Sequence, residues 1–198
     1  MHLLTALALS AASPDGGASP TAAPAEVQAL VEQREESERA HLRRLGIWAA
    51  SNIVAGAGLL ALARPETSPL AAPPVQLEGV AVQSIAWGAI NGAIVLIGLF
   101  APKGEPPLTR EEALAKEDDL GKVLWVNVGL DAGYMMAGGT MIAAGAFGAD
   151  PAVQWQSHGA GIVTQGAALL ALDVIAVWDS DPREQALQAL PPTAALAP

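Results

Sequence analysis

Six of the polar side chains inside long apolar stretches of this sequence stand out, and two of them, Asp131 and Asp173, are carboxylates. The other four are carboxamides: Asn52, Asn91, Asn127 and Gln165. An ionised Asp at the centre of a bilayer costs at least about 2.5–3.5 kcal/mol on insertion scales. No Lys or Arg lies in the same stretches to pair with either carboxylate, so each must be hydrated, bonded to an amide, or protonated. A protonated, amide-bonded Asp ties helices together; a titrating Asp is a proton or cation site. Both readings stay open for Asp131. Asp173 is five residues from Trp178 and close to interfacial water, which favours a structural role. The amides read as interhelical ties worth about 0.6 kcal/mol each and at most about 2. Asn127 and Asp131 stand at i,i+4 on one helix face, and Trp48–Asn52 and Trp87–Asn91 repeat a W-x-x-x-N spacing.

Enzyme and cofactor chemistry fails on inventory. Cysteine is absent, which removes disulfides, thiolate metal sites and cysteine nucleophiles. His41 and His158 flank opposite ends of the apolar stretches, so they do not share a haem. No H-E-x-x-H, G-x-S-x-G or P-loop occurs, and neither Asp sits in an aspartyl-protease motif. The formal charge of −10 comes with no basic patch for phosphates, which argues against nucleic acid. The expectation is a non-enzyme without metal or cofactor.

The elements that position these groups are four stretches: Leu45–Ala63, Gly79–Ala101, Val123–Gly148 and Gln154–Trp178. They run for 19 to 26 residues and hold two of the 30 Asp, Glu, Lys and Arg residues and none of the 15 prolines. About 20 helical residues cross a hydrocarbon core, and none of the four keeps the polar stripe of a soluble helix. The fold expected is all-α, a four-helix transmembrane bundle. At about 1.5 Å per residue the six polar groups lie roughly 8–20 Å deep, in one shared layer. Trp48, Trp125, Trp155 and Trp178 sit near the stretch ends, where indoles prefer the interface; Trp87 lies deeper. Gly88/Gly92 and Gly129/Gly133 are G-x-x-x-G pairs that permit close helix approach. With Asn127 and Asp131 on its opposite face, the third stretch reads as the central helix.

Recurring residues suggest a duplication. Arg34-Glu35-Glu36 returns as Arg110-Glu111-Glu112, and Leu45-Gly46 before Asn52 returns as Leu120-Gly121 before Asn127. Gln83-Ser84 returns as Gln156-Ser157, and Asn91-Gly92-Ala93 as Gln165-Gly166-Ala167. Each copy would be a charged amphipathic helix followed by a helix pair, with a pseudo-twofold axis along the membrane normal. The chain then divides as follows. Residues 1–25 hold a candidate signal peptide (core Leu3–Ala12) and an Ala/Pro-rich disordered segment; 26–44 form a charged helix and 45–101 the first pair. Residues 102–122 form a loop and second amphipathic helix, 123–178 the second pair, and 179–198 a disordered tail. Nine basic residues flank one side of the stretches and only Arg64 the other, which places both termini in the cytoplasm; a cleaved signal would invert this.

Leu45-Gly46-Ile47-Trp48-Ala49 leading to Asn52, Trp87-Gly88-Ala89-Ile90-Asn91, Asn127-Val128-Gly129-Leu130-Asp131-Ala132-Gly133-Tyr134, and Gln165-Gly166 leading to Asp173 resemble an uncharacterised family of small bacterial four-helix integral membrane proteins. The resemblance covers about residues 34–178. It implies a bacterial inner membrane and assigns no activity. Two function classes follow: a structural or partner-binding membrane subunit, forming a homo-oligomer or joined to another membrane protein, and an oligomeric small transporter or channel subunit using Asp131.

Overall fold

A computed structural model describes residues 24–63, 76–102, 104–107 and 109–192. Four helices run through them: α1 (Ala25–Ala63), α2 (Gln76–Phe100), α3 (Arg110–Ala146) and α4 (Ala152–Ala189). No strand occurs among the described residues. The candidate signal core Leu3–Ala12 and residues 64–75, including Arg64, lie outside them.

The charged helices expected at 26–44 and 102–122 are not separate elements. Both continue without a break into the apolar stretches that follow, giving α1 39 residues and α3 37. Nothing interrupts the backbone at Arg44–Leu45 or Lys122–Val123, because a change from charged to apolar side chains contains no helix stop. Thr109 starts α3 with a capping box: its Oγ1 accepts from Glu112 N at 3.2 Å, and Glu112 Oε2 accepts from Thr109 N at 3.3 Å. These reciprocal bonds satisfy two otherwise orphaned donors.

The α3–α4 turn closes with Gly148 at φ +101°, a conformation that costs glycine little and other residues much. Ala149 N donates to Ala144 O at 2.9 Å and Gly148 N to Gly145 O at 3.4 Å, a Schellman closure.

The tail expected to be disordered from residue 179 is helical as far as Ala189. Ser180, Arg183 and Leu187 fall on one buried face, and that packing outweighs the Ala/Pro/Gln composition. Val27 of α1, Ala113 of α3 and Leu187 of α4 form a small core there, with Leu30, Val31, Leu114 and Leu190 packed against it. This collar sits below the apolar stretches, at the end carrying the N-termini of α1 and α3 and the C-terminus of α4.

Helix order is up, down, up, down, in two hairpins. In the second, buried positions recur every seven residues: Glu117, Leu124, Asp131, Gly138 and Gly145 on α3, and Gly159, Gly166, Asp173, Ser180 and Leu187 on α4. A seven-residue repeat keeps one seam facing its partner in a left-handed pair. The seam is tight. A Cβ at Gly138 would lie 2.6 Å from Gly159 O, one at Gly159 2.5 Å from Gly138 O, and one at Gly166 2.9 Å from Asp131 O. In the first hairpin a Cβ at Gly56 would lie 2.8 Å from Ala81 O, and one at Gly88 2.8 Å from Ala49 O. The two hairpins therefore share helix order but pair in different registers. Gly56 faces Ala81, whereas Asp131, 75 residues beyond Gly56, faces Gly166 rather than a residue near 155.

The central helix is α4, not the third: it packs on α1, α2 and α3. The small-residue face expected to bring α3 against protein is open, since a Cβ at Gly129 or Gly133 would meet nothing within 4 Å, and the same holds at Gly92. Glycines at i,i+4 allow close approach but do not supply a partner. On composition, α1, α2 and α4 are long and apolar enough to cross a membrane. The third helix falls short of the expected four because Asn127, Asp131 and its glycines dilute its apolar content.

Candidate intramembrane polar site

Asn52, Asn91, Asp131, Gln165 and Asp173 are buried and Asn127 is half-buried, but they do not all meet. Trp48, Asn52 and Gln165 close on one another. Trp48 Nε1 donates to Gln165 Oε1 at 3.2 Å, Gln165 Nε2 donates to Asn52 Oδ1 at 2.6 Å, and Asn52 Nδ2 donates to Trp48 O at 2.9 Å. The W-x-x-x-N spacing works here as a one-turn clasp that presents an indole N–H and an amide to the same Gln. Gln165 is fully enclosed and joins α4 to α1.

Asp131 and Asp173 form a second group. Their carboxyls lie within hydrogen-bonding reach of each other, and Asp131 Oδ2 is buried without a donor. Asp173 Oδ1 lies 3.5 Å from His41 Nε2. His41 is one turn before Leu45, where the apolar part of α1 begins, and its Nδ1 is buried and unpartnered. Burial, and then the neighbouring Arg44 guanidinium, hold the His41 imidazolium below its ordinary range, against the weaker pull of Asp179.

Asn91 and Asn127 join neither group. Asn91 is 2% exposed with Nδ2 unpartnered, and Asn127 is half-buried. The expected single layer is therefore two separate groups and two outliers. Trp87 finds its role against Tyr134, edge to face with ring centroids 4.9 Å apart at 72°, a geometry favoured by the ring quadrupoles.

Three side chains escaped the sequence reading. Glu117 of α3 is 2% exposed and Arg183 of α4 6%. Arg183 Nε donates to Glu117 Oε1 at 3.1 Å, and Ser180 Oγ to Glu117 Oε2 at 3.0 Å. The seven-residue spacing from Glu117 to Asp131 and from Asp173 to Leu187 is the signal that identifies Glu117 and Ser180; Arg183, one turn beyond Ser180, lies off it. Nearby, Arg110 Nε donates to Leu187 O at 2.8 Å and Nη2 to Gln188 O at 3.0 Å, tying off the carbonyls that end α4. Among the described residues no group of three or more His, Cys, Asp or Glu is placed to hold a metal ion.

No curated protein and no solved structure matches this chain. One family model does, over residues 44–174, which is 131 of the 198 residues and takes in both polar groups except His41. The chain belongs to that family, a family of unknown function (DUF6992).

Proposed function

We propose that the chain is a four-crossing protein of the bacterial inner membrane with both termini cytoplasmic, acting without catalysis as a structural or partner-binding subunit. The observation that carries this reading is an inverted distribution of polarity. Inside the bundle lie Asn52, Ser84, Asn91, Asp131, Ser157 and Gln165; outside lie Val54, Leu96, Leu99 and Phe100, from 56% to 81% exposed. Water-soluble proteins bury the second set and expose the first, whereas lipid favours the reverse. The same logic supports a crossing by α3. Its outer face carries Trp125, Val126 and Met136, with Phe147 at its C-cap, all exposed, while Asp131 turns inward. The open Gly129/Gly133 face favours contact with a second copy or another membrane protein. The Trp48–Asn52–Gln165 clasp supports a packing role for those residues, since they satisfy one another.

The absence of cysteine makes the topology test free of background. Single Asp119→Cys, Met136→Cys and Asp150→Cys chains should differ toward a membrane-impermeant maleimide. Asp150→Cys should react in intact cells and Asp119→Cys only after permeabilisation, while Met136→Cys should stay unlabelled in both. Labelling of positions 119 and 150 from one side would remove the third crossing.

A second reading, a proton or cation site at Asp131 in a small transporter, is favoured by the buried, donorless Asp131 Oδ2 facing a second carboxyl. Its test is flux in reconstituted vesicles across about pH 5–8, where Asp131→Asn should abolish any pH-driven component.

A further inference from the structure

Two buried atoms without partners, Asp131 Oδ2 and His41 Nδ1, belong to the two ends of one short series of titratable groups. Asp173 stands between them, facing Asp131 across the α3–α4 seam and His41 across the α1–α4 contact. Three helices thus each contribute one member. Two carboxyl groups in contact offer only acceptors to each other while both are ionised, and a single proton supplies the missing donor. A metal ion would need ligands converging on one point, and these do not.

We propose that Asp131, Asp173 and His41 form a proton-binding site filled from the collar end of the bundle, with His41 as the entry group. It rests on the second reading above and specifies it, the ligand being a proton. The His41 side chain is more exposed, at 18%, than that of Asp173, at 11%, and as whole residues Asp173 is 8% and Asp131 4% exposed. A proton taken up on the imidazole passes from Nε2 to Asp173 Oδ1, and from there into the gap between Asp173 and Asp131. One N–H bond breaks, one O–H bond forms, and the imidazole returns to neutral. Burial and Arg44 disfavour a resting imidazolium at His41, which suits a group that hands its proton on.

The surroundings contain few competing charges. On α1 the Arg44 guanidinium is engaged by Asp179 of α4 at 3.4 Å. The collar pair Glu117–Arg183 is closed on itself, and Lys122 of α3 is held at the surface by Asp118 and Asp119. On α2 the nearest polar candidate is the uncharged Asn91; the one charged residue of that helix, Glu78, stands at the opposite end.

The experiment is infrared spectroscopy of the carboxylic C=O band on the full chain in lipid vesicles, titrated across about pH 5–8. A proton flux assay is run on the same vesicles. The wild type should show a protonated-carboxyl band that titrates, absent from Asp131→Asn and from Asp173→Asn. His41→Gln should keep the band, while its appearance after a pH jump slows at least about tenfold. A band without flux upholds the site and ends the transport reading. Flux without a band, or a band that persists in Asp131→Asn, overturns the site. Unchanged filling in His41→Gln overturns its entry role. Should the Asp variants fail to insert, the wild type decides alone: no titrating band, no proton site.

Discussion

Gln165 spends its amide on two partners from another helix, and each would be stranded without it. Replacing it by Leu leaves the Trp48 Nε1–H and Asn52 Oδ1 buried and unbonded. Orphaned groups of this kind cost about 1–3 kcal/mol in proteins generally, while single ties in membrane bundles average about 0.6 kcal/mol. Gln165→Leu should therefore lose about 1–2 kcal/mol, measured by denaturant unfolding of the purified chain in micelles. A loss below about 0.5 kcal/mol would show that the clasp contributes nothing essential. At this scale the sequence is informative about which residues matter, because a polar side chain in an apolar run is conspicuous and expensive. It is silent about which of them meet. The sequence weighs His41 only as a haem ligand, because it lies in a charged segment away from the two carboxylates; the approach of α4 is what brings it to Asp173.

Among the elements, the α3–α4 hairpin depends on backbone contact at Gly138, Gly159 and Gly166, where there is no room for a Cβ. Gly159→Leu should cost about 1–3 kcal/mol by overpacking or separate the helices outright. Gly129→Leu, pointing into open space, should stay within about 0.5 kcal/mol. The paired unfolding curves check both, and a costly Gly129→Leu in the purified monomer would contradict the seam. The four helices were readable from apolar length and the α3 start from its capping residues. The seam was not, because G-x-x-x-G spacing draws attention to Gly129 and Gly133, whereas the facing glycines recur at seven. The lengths of α1, α3 and α4 were also hidden, since a shift in polarity resembles a boundary when backbone hydrogen bonding runs straight through it.

For the molecule as a whole, two regions with opposite polarity rules share the same helices. The collar is built as in a soluble bundle, with Val27, Ala113 and Leu187 inside; the stretch above it buries amides and carboxyls. Glu117–Arg183 sits at their junction, and removing one member strands a buried charge. Arg183→Ala should cost about 3–5 kcal/mol, and the double change Glu117→Leu with Arg183→Leu considerably less. Thermal unfolding of the two variants in detergent tests the ordering; equal losses would place the pair in water rather than in the interior.

Pro182 lies inside α4, one residue before Arg183. Having no N–H, it leaves the Trp178 carbonyl without its helical donor, at the level where the apolar stretch ends. The rod is thus softest where it passes from the collar to the apolar stretch. Below that joint α4 is anchored by Glu117 and Arg110; above it the same helix carries Asp173 and Gln165. A torque applied to the collar, by a ligand or a docking chain, would bend α4 at Pro182 and change how closely Asp173 approaches Asp131 and His41. Mechanically, the molecule is a lever with its pivot between the collar and the apolar stretch.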